Sequence, residues 1–157
     1  MDIGNASGYF YYGCDSALIP FPKLINIERL IMLSAGTYSS ADGKHTLVIT
    51  NPDFWGATFT GSFTAKDTPV GEFIYQGESF SGSWLYTAGQ ATINFGVACT
   101  YRNDGGGYNY VIRDYWVGTS TDNPQQITMS GSRSYTTITG GQQRFSFEDV
   151  VFTRQPD

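Results

Sequence analysis

The stretch from Ala91 to Gly118 constrains the fold of this chain more than any other. Ala91, Ile93, Phe95, Val97, Cys99 and Tyr101 are apolar, while Thr92, Asn94, Gly96, Ala98 and Thr100 between them are small or polar. A period of two marks a half-buried strand, because successive side chains point to opposite faces. Arg102 to Gly107 then supplies residues that tolerate positive φ, and Tyr108 to Val117 follow as β-branched and aromatic residues. The stretch therefore predicts two long antiparallel strands joined by one glycine turn.

Composition extends that reading to the whole chain. Its 157 residues include 19 Gly, 11 Tyr, 11 Phe and 3 Trp against 15% charged residues, which is the usage of a β protein. The length fits one domain, expected over residues 35–157, with residues 1–34 as an extension that packs on it. Net charge is −5 and the 9 Lys and Arg are scattered singly, so no basic stripe is available for a nucleic acid. The apolar runs fall far short of the roughly 20 residues of a membrane helix, and no membrane partner is expected. No leader pattern is read at the N-terminus, which leaves the compartment open with a lean toward secretion. Cys14 and Cys99 are compatible with one disulfide or two free thiols.

Within the extension, Leu24 to Leu33 has apolar residues at helical spacing after Pro22, and a short helix is expected there. From Ala35 onward, strands and tight turns alternate to the end. Gly36 to Ser40 turns through Ala41-Asp42-Gly43 into Lys44 to Thr50, with Leu47 and Ile49 on one face, and Asn51-Pro52-Asp53 is expected to break that strand. Ala57 to Ala65, Val70 to Tyr75, Glu78 to Tyr86, the central hairpin, Gln126 to Ile138 and Arg144 to Arg154 complete eight or nine strands in hairpin succession. This order predicts an all-β, antiparallel up-and-down barrel of about eight strands with a non-β N-terminal segment; a two-sheet β-sandwich is the alternative. Such a barrel is wide enough to hold one small ligand or to be filled by its own side chains.

The order of motifs resembles the avidin and streptavidin family of calycin-like barrels. Gly36-Thr37-Tyr38, Thr60-Gly61-Ser62-Phe63, Ala91 to Val97, Trp116-Val117-Gly118 and Val151-Phe152-Thr153-Arg154 are similar to that family's successive strand motifs. The resemblance implies an eight-stranded barrel that binds a small molecule and assembles through its outer wall. The biotin-contacting positions depart from the family: Ser40 and Lys44 stand where an Asn and a Ser are expected, Phe63 where a Tyr is, Phe95 where a Trp is, and Val150 where an Asp is. Loss of those donors argues against biotin, since polar ligand edges left unpaired are costly.

His45 is the single histidine and follows a turn, so it is expected at the surface, and no Ser-His-Asp set or zinc site can be assembled around it. No metal or other cofactor is implied. Arg113 and Asp114 are adjacent in a strand and point to opposite faces, so one of them is expected inside the barrel, with Arg133 a candidate partner for Asp114. The leading expectation is a small-molecule-binding barrel whose pocket is drawn from Tyr38, Ser40, Phe63, Trp84, Tyr86, Phe95, Tyr110, Arg113, Asp114, Trp116 and Arg133. A carbohydrate-binding module with outward aromatics is one alternative. An isomerase or cyclase using Asp114, Glu72 or Tyr110 as acid or base is another. Both faces of Tyr108 to Val117 are rich in apolar groups, so residues 1–34 or a second copy in a homo-oligomer are expected to cover the outside.

Overall fold

The computed structural model describes residues 33–157 apart from 88–89, 103–108, 121–124 and 138–139, and at 87, 101, 102, 109 and 110 it describes the backbone only. The expected helix at Leu24 to Leu33 therefore lies, save its last residue, outside the described residues, as does the rest of the N-terminal extension up to residue 32.

Among the described residues, alternation and turn chemistry generate nine strands: β1 (Gly36–Ser40), β2 (His45–Asp53), β3 (Thr58–Thr68), β4 (Gly71–Gln76), β5 (Phe80–Thr87), β6 (Gln90–Arg102), β7 (Asn109–Ser120), β8 (Gln126–Thr136) and β9 (Gln142–Arg154). All their pairings are antiparallel. The order β2-β1-β9-β8-β7-β6-β5-β3 closes because β3 also pairs with β2. Eight strands thus form a closed barrel rather than a sandwich, and closure leaves the ring no edge.

The ninth strand arises from an interruption. β4 pairs with the far part of β3, from Ser62↔Gln76 to Thr68↔Gly71. β5 meets β3 only at Thr58↔Ser83 and Phe59↔Gly82, then runs along β6. Between the two halves, Gly77–Ser79 forms a 3₁₀ turn with Gly77 at a φ of 58°, a conformation that favours glycine.

The first strand of the central hairpin has the predicted parity, and the second faces its even residues inward. Its register runs from Ala91↔Ser120 to Arg102↔Asn109. Ala91, Ile93, Phe95 and Val97 are buried on β6, as are Ile112, Asp114 and Trp116 on β7. The interior is completed by Tyr38, Leu47, Ile49, Phe63, Tyr75, Trp84, Ile127, Met129 and Phe152 among others, with Leu33 buried in the same cluster.

Two expectations about strands are corrected. Pro52 does not end β2: a register shift between Ile49 and Asn51 forms a bulge, and β2 continues through Pro52↔Phe59 to Asp53↔Thr58. A bulge is where a sheet tolerates the missing N–H of proline. His45 is not a surface residue; it begins β2 on the same face as Leu47 and Ile49 and is 3% exposed.

Candidate functional site

The β1–β2, β3–β4, β6–β7 and β8–β9 connections share one end of the barrel. Just inside that end, strand parity and two bulges gather a polar cluster on an aromatic floor. Asp114 of β7 and Arg133 of β8 are direct cross-strand partners facing inward. They are 0% and 2% exposed. Arg133 Nε donates to Asp114 Oδ1 at 2.9 Å and Nη2 to Oδ2 at 2.8 Å, a bidentate pair. Its Nη1 donates to the Asp67 carbonyl at 3.0 Å and to Asp67 Oδ1 at 2.7 Å.

Asp67 reaches this position because β3 bulges between Ala65 and Thr68, which turns its carbonyl and carboxylate toward Arg133. Burial pushes the Asp67 carboxyl up, but the hydrogen bond and charge of Arg133 outweigh it and hold the group below the usual carboxylate range. Asp67 is therefore ionised at neutral pH. Its Oδ1 accepts from Arg133, and its own backbone N–H also supports the carboxylate.

His45 completes the cluster. Its ring stacks on Phe63 at 5.8 Å and meets Trp116 and Phe147 edge-on at 5.2 and 5.1 Å. Its Nε2 lies 3.3 Å from Asp67 Oδ1. That approach is an ion-pair distance and not a hydrogen bond, and neither ring nitrogen makes one among the described residues, nor does Trp116 Nε1. Burial drives the His45 pKa down against the pull of Asp67, which keeps the imidazole neutral.

A bulge in β9 supplies the last wall. Met129↔Val150 gives way to Gly131↔Phe147, and Asp149 adopts a φ of 48° with its N–H on Ser130 Oγ at 3.1 Å. This shift brings Phe147 inward as well as Val150 and Phe152. Phe147 stacks on Trp116 at 4.8 Å and lies under the Arg133 guanidinium at 5.3 Å. A cleft of about 310 Å³ opens there, lined by Asp67, Thr68, Arg133, Tyr135, Phe145 and Phe147 among others. Tyr135 and Phe145 stack at 5.7 Å as a pair of rings along it.

The residues expected at a pocket divide into three groups. Phe63, Phe95 and Trp116 pack on one another at 5.0 to 6.1 Å beneath the cluster, so the lumen at that level is filled by side chains. Tyr38 is buried with its hydroxyl on the Ser34 carbonyl at 2.8 Å, and Ser40 gives its hydroxyl to Asp42 at 2.6 Å. Trp84 and Tyr86 sit at the level of Ile93 and Ala91, well along the barrel from Val97, the partner of Asp114. The Trp84 Nε1 donates to the Thr58 carbonyl at 3.2 Å.

Outside the barrel stand Arg113 and Glu72, both exposed. Of the inward alternatives considered for Arg113 and Asp114, the structure selects Asp114 because the even residues of β7 face the lumen. The side chain of Tyr110 and all of Cys14 lie outside the described residues. Cys99 is a free thiol whose pKa burial pushes up, an inert state. Groups of three or more metal-ligating side chains do not occur among the described residues.

Sequence reading missed His45, Asp67, Tyr135, Phe145 and Phe147 as members of the site. His45 shares the parity of Leu47 and Ile49, which was a usable signal; the positions of Asp67 and Phe147 depend on bulges. No protein family, no curated protein and no solved structure matches this chain.

Proposed function

We propose that this barrel binds a small, flat ligand bearing a hydrogen-bond donor, such as an aromatic amine, in the cleft above Arg133. The observation that carries this reading is a charged cluster with unspent polar capacity beneath an aromatic-walled opening. Asp67 lines the cleft with an ionised carboxylate that is only partly buried, and a carboxylate has more acceptor sites than the Arg133 contact uses. A hydrogen bond to a charged group contributes about 1.5–3 kcal/mol, so a ligand donor that reaches the Asp67 carboxylate is stabilised. Tyr135, Phe145 and Phe147 supply ring faces suited to a flat cation.

The avidin-like order of motifs supports a ligand-binding barrel, while the replaced polar positions argue for a ligand other than biotin. An enzymatic reading is weaker, because Asp114 is fully buried with Arg133 hydrogen-bonded to both its oxygens, which keeps it from direct contact with a substrate. Native mass spectrometry with a library of aromatic amines tests the proposal. Specific adducts that weaken in Asp67→Asn and in Phe145→Ala support it; the lack of adducts, or adducts indifferent to both substitutions, refutes it.

A further inference from the structure

A second concavity lies on the outer wall, away from the Arg133 cleft. Its floor follows from small residues on the outward face of β6, where Gly96 and Ala98 succeed Asn94. One bank is Tyr115 of β7, the direct partner of Gly96. The other is the 3₁₀ turn that interrupts the strand between β4 and β5, carrying Glu78 and Ser79. The groove between them is about 360 Å³ in volume.

The Tyr115 ring leans over Gly96, where a Cβ would come 3.2 Å from its Cε1, yet 63% of the residue remains exposed. A bare glycine thus seats the ring on backbone. Beside it, Ser83 Oγ donates to Asn94 Oδ1 at 2.9 Å. That bond orients the Asn94 amide and leaves its two Nδ2 hydrogens to donate elsewhere. Glu78 adds a carboxylate acceptor, and Ser79 and Ser81 add hydroxyls.

We infer that this groove binds a neutral saccharide, with a sugar ring against Tyr115 and its hydroxyls shared among Glu78, Asn94 and Ser81. A sugar ring has one face rich in C–H groups and an edge of hydroxyls that both donate and accept, which is the pairing this groove presents. A purely apolar ligand would bury Glu78 and Asn94 unpaired. An anion would face the Glu78 carboxylate with no Lys or Arg in the lining among the described residues.

The test is an amide NMR titration with cellotetraose, chitotetraose and xylotetraose at millimolar concentration. At least one sugar is expected to shift the amides of 94–98 and 115 while leaving Asp67 and Arg133 unmoved. Tyr115→Ala should weaken that binding about tenfold, the loss of one ring contact, and Tyr115→Trp should retain it. Thermal melts of both variants confirm that an exposed substitution leaves the fold intact. The inference is overturned if none of the sugars moves these amides, or if binding survives Tyr115→Ala. It is also overturned if Tyr115→Ala instead lowers the sedimentation coefficient, which would make this wall a self-association surface.

Discussion

Asp114 and Arg133 face one another across the β7–β8 ladder, and both are buried inside the barrel with three hydrogen bonds between them. Both charges are almost fully buried, and Asp114 has Arg133 as its ion-pair partner while Arg133 also holds Asp67. Removing one partner strands the other's charge, whereas removing both costs much less. Arg133→Ala should therefore destabilise the barrel by about 3–5 kcal/mol in urea unfolding. The double variant Asp114→Leu with Arg133→Met should lose far less than the sum of the single substitutions. Additive losses would show that the pair is not coupled.

His45 gives the barrel a pH dependence of definite sign. Its folded pKa is lowered from 6.5 by burial, so the unfolded chain takes up a proton first as pH falls. The stability contributed by the neutral imidazole is fully present above 6.5 and declines as pH drops from there toward the folded value. The slope should not exceed about 1.4 kcal/mol per pH unit, one proton's worth. The ionised Asp67 and Asp42 contribute in the same direction only below the ordinary aspartate value of 3.8. In His45→Phe the decline below 6.5 should disappear from urea unfolding curves, while the lower one persists.

Glycines divide by what surrounds them. A Cβ on Gly131 would lie 2.7 Å from the Trp116 ring and 2.8 Å from the Tyr115 carbonyl, and neither can retreat from a closed barrel. Gly131→Ala should cost about 1–3 kcal/mol through overpacking. Gly43 has open space around it and a φ of 67°, so Gly43→Ala should cost roughly 1–2 kcal/mol from backbone strain alone. Thermal unfolding separates the two, because Gly131→Ala should also perturb the near-ultraviolet signal of Trp116 and Gly43→Ala should not.

Trp116 ties the polar cluster to the core through ring contacts with His45, Phe63, Phe95, Phe147 and Phe152. Trp116→Ala should lose about 3–5 kcal/mol, while Trp116→Phe keeps most of the packing. Chemical denaturation of the two variants checks the difference.

Much of this architecture was legible in the residues, because period-two alternation survives wherever a strand is regular. β6 is of that kind, and its parity placed Phe95 inside; β7 is apolar on both faces, so alternation there left Asp114 and Arg113 as alternatives. Legibility fails where a strand bulges. Counting back from Phe152 in twos puts Val150, Glu148 and Ser146 inside, yet the bulge at Asp149 turns Phe147 inward instead. The bulge in β3 likewise decides where Asp67 points, and no local signal in Lys66-Asp67-Thr68 announces it. Pro52 reads locally as a strand end, yet it follows a bulge and β2 continues past it. His45 differs: its parity with Leu47 was visible, but its polarity and the neighbouring turn suggested the surface. The aromatic residues were placed inside, and packing on one another rather than around a central cavity is a matter of volume that alternation does not encode.

The central claim is that the Arg133 end of the barrel takes a flat ligand with a donor group. An amide NMR titration with tryptamine tests it most directly. Saturable shifts are predicted at Asp67, Thr68, Arg133, Tyr135 and Phe145 to Phe147, lost in Phe145→Ala and weakened in Asp67→Asn. Failure of these amides to move at millimolar tryptamine, or shifts concentrated on another part of the barrel, would contradict the claim.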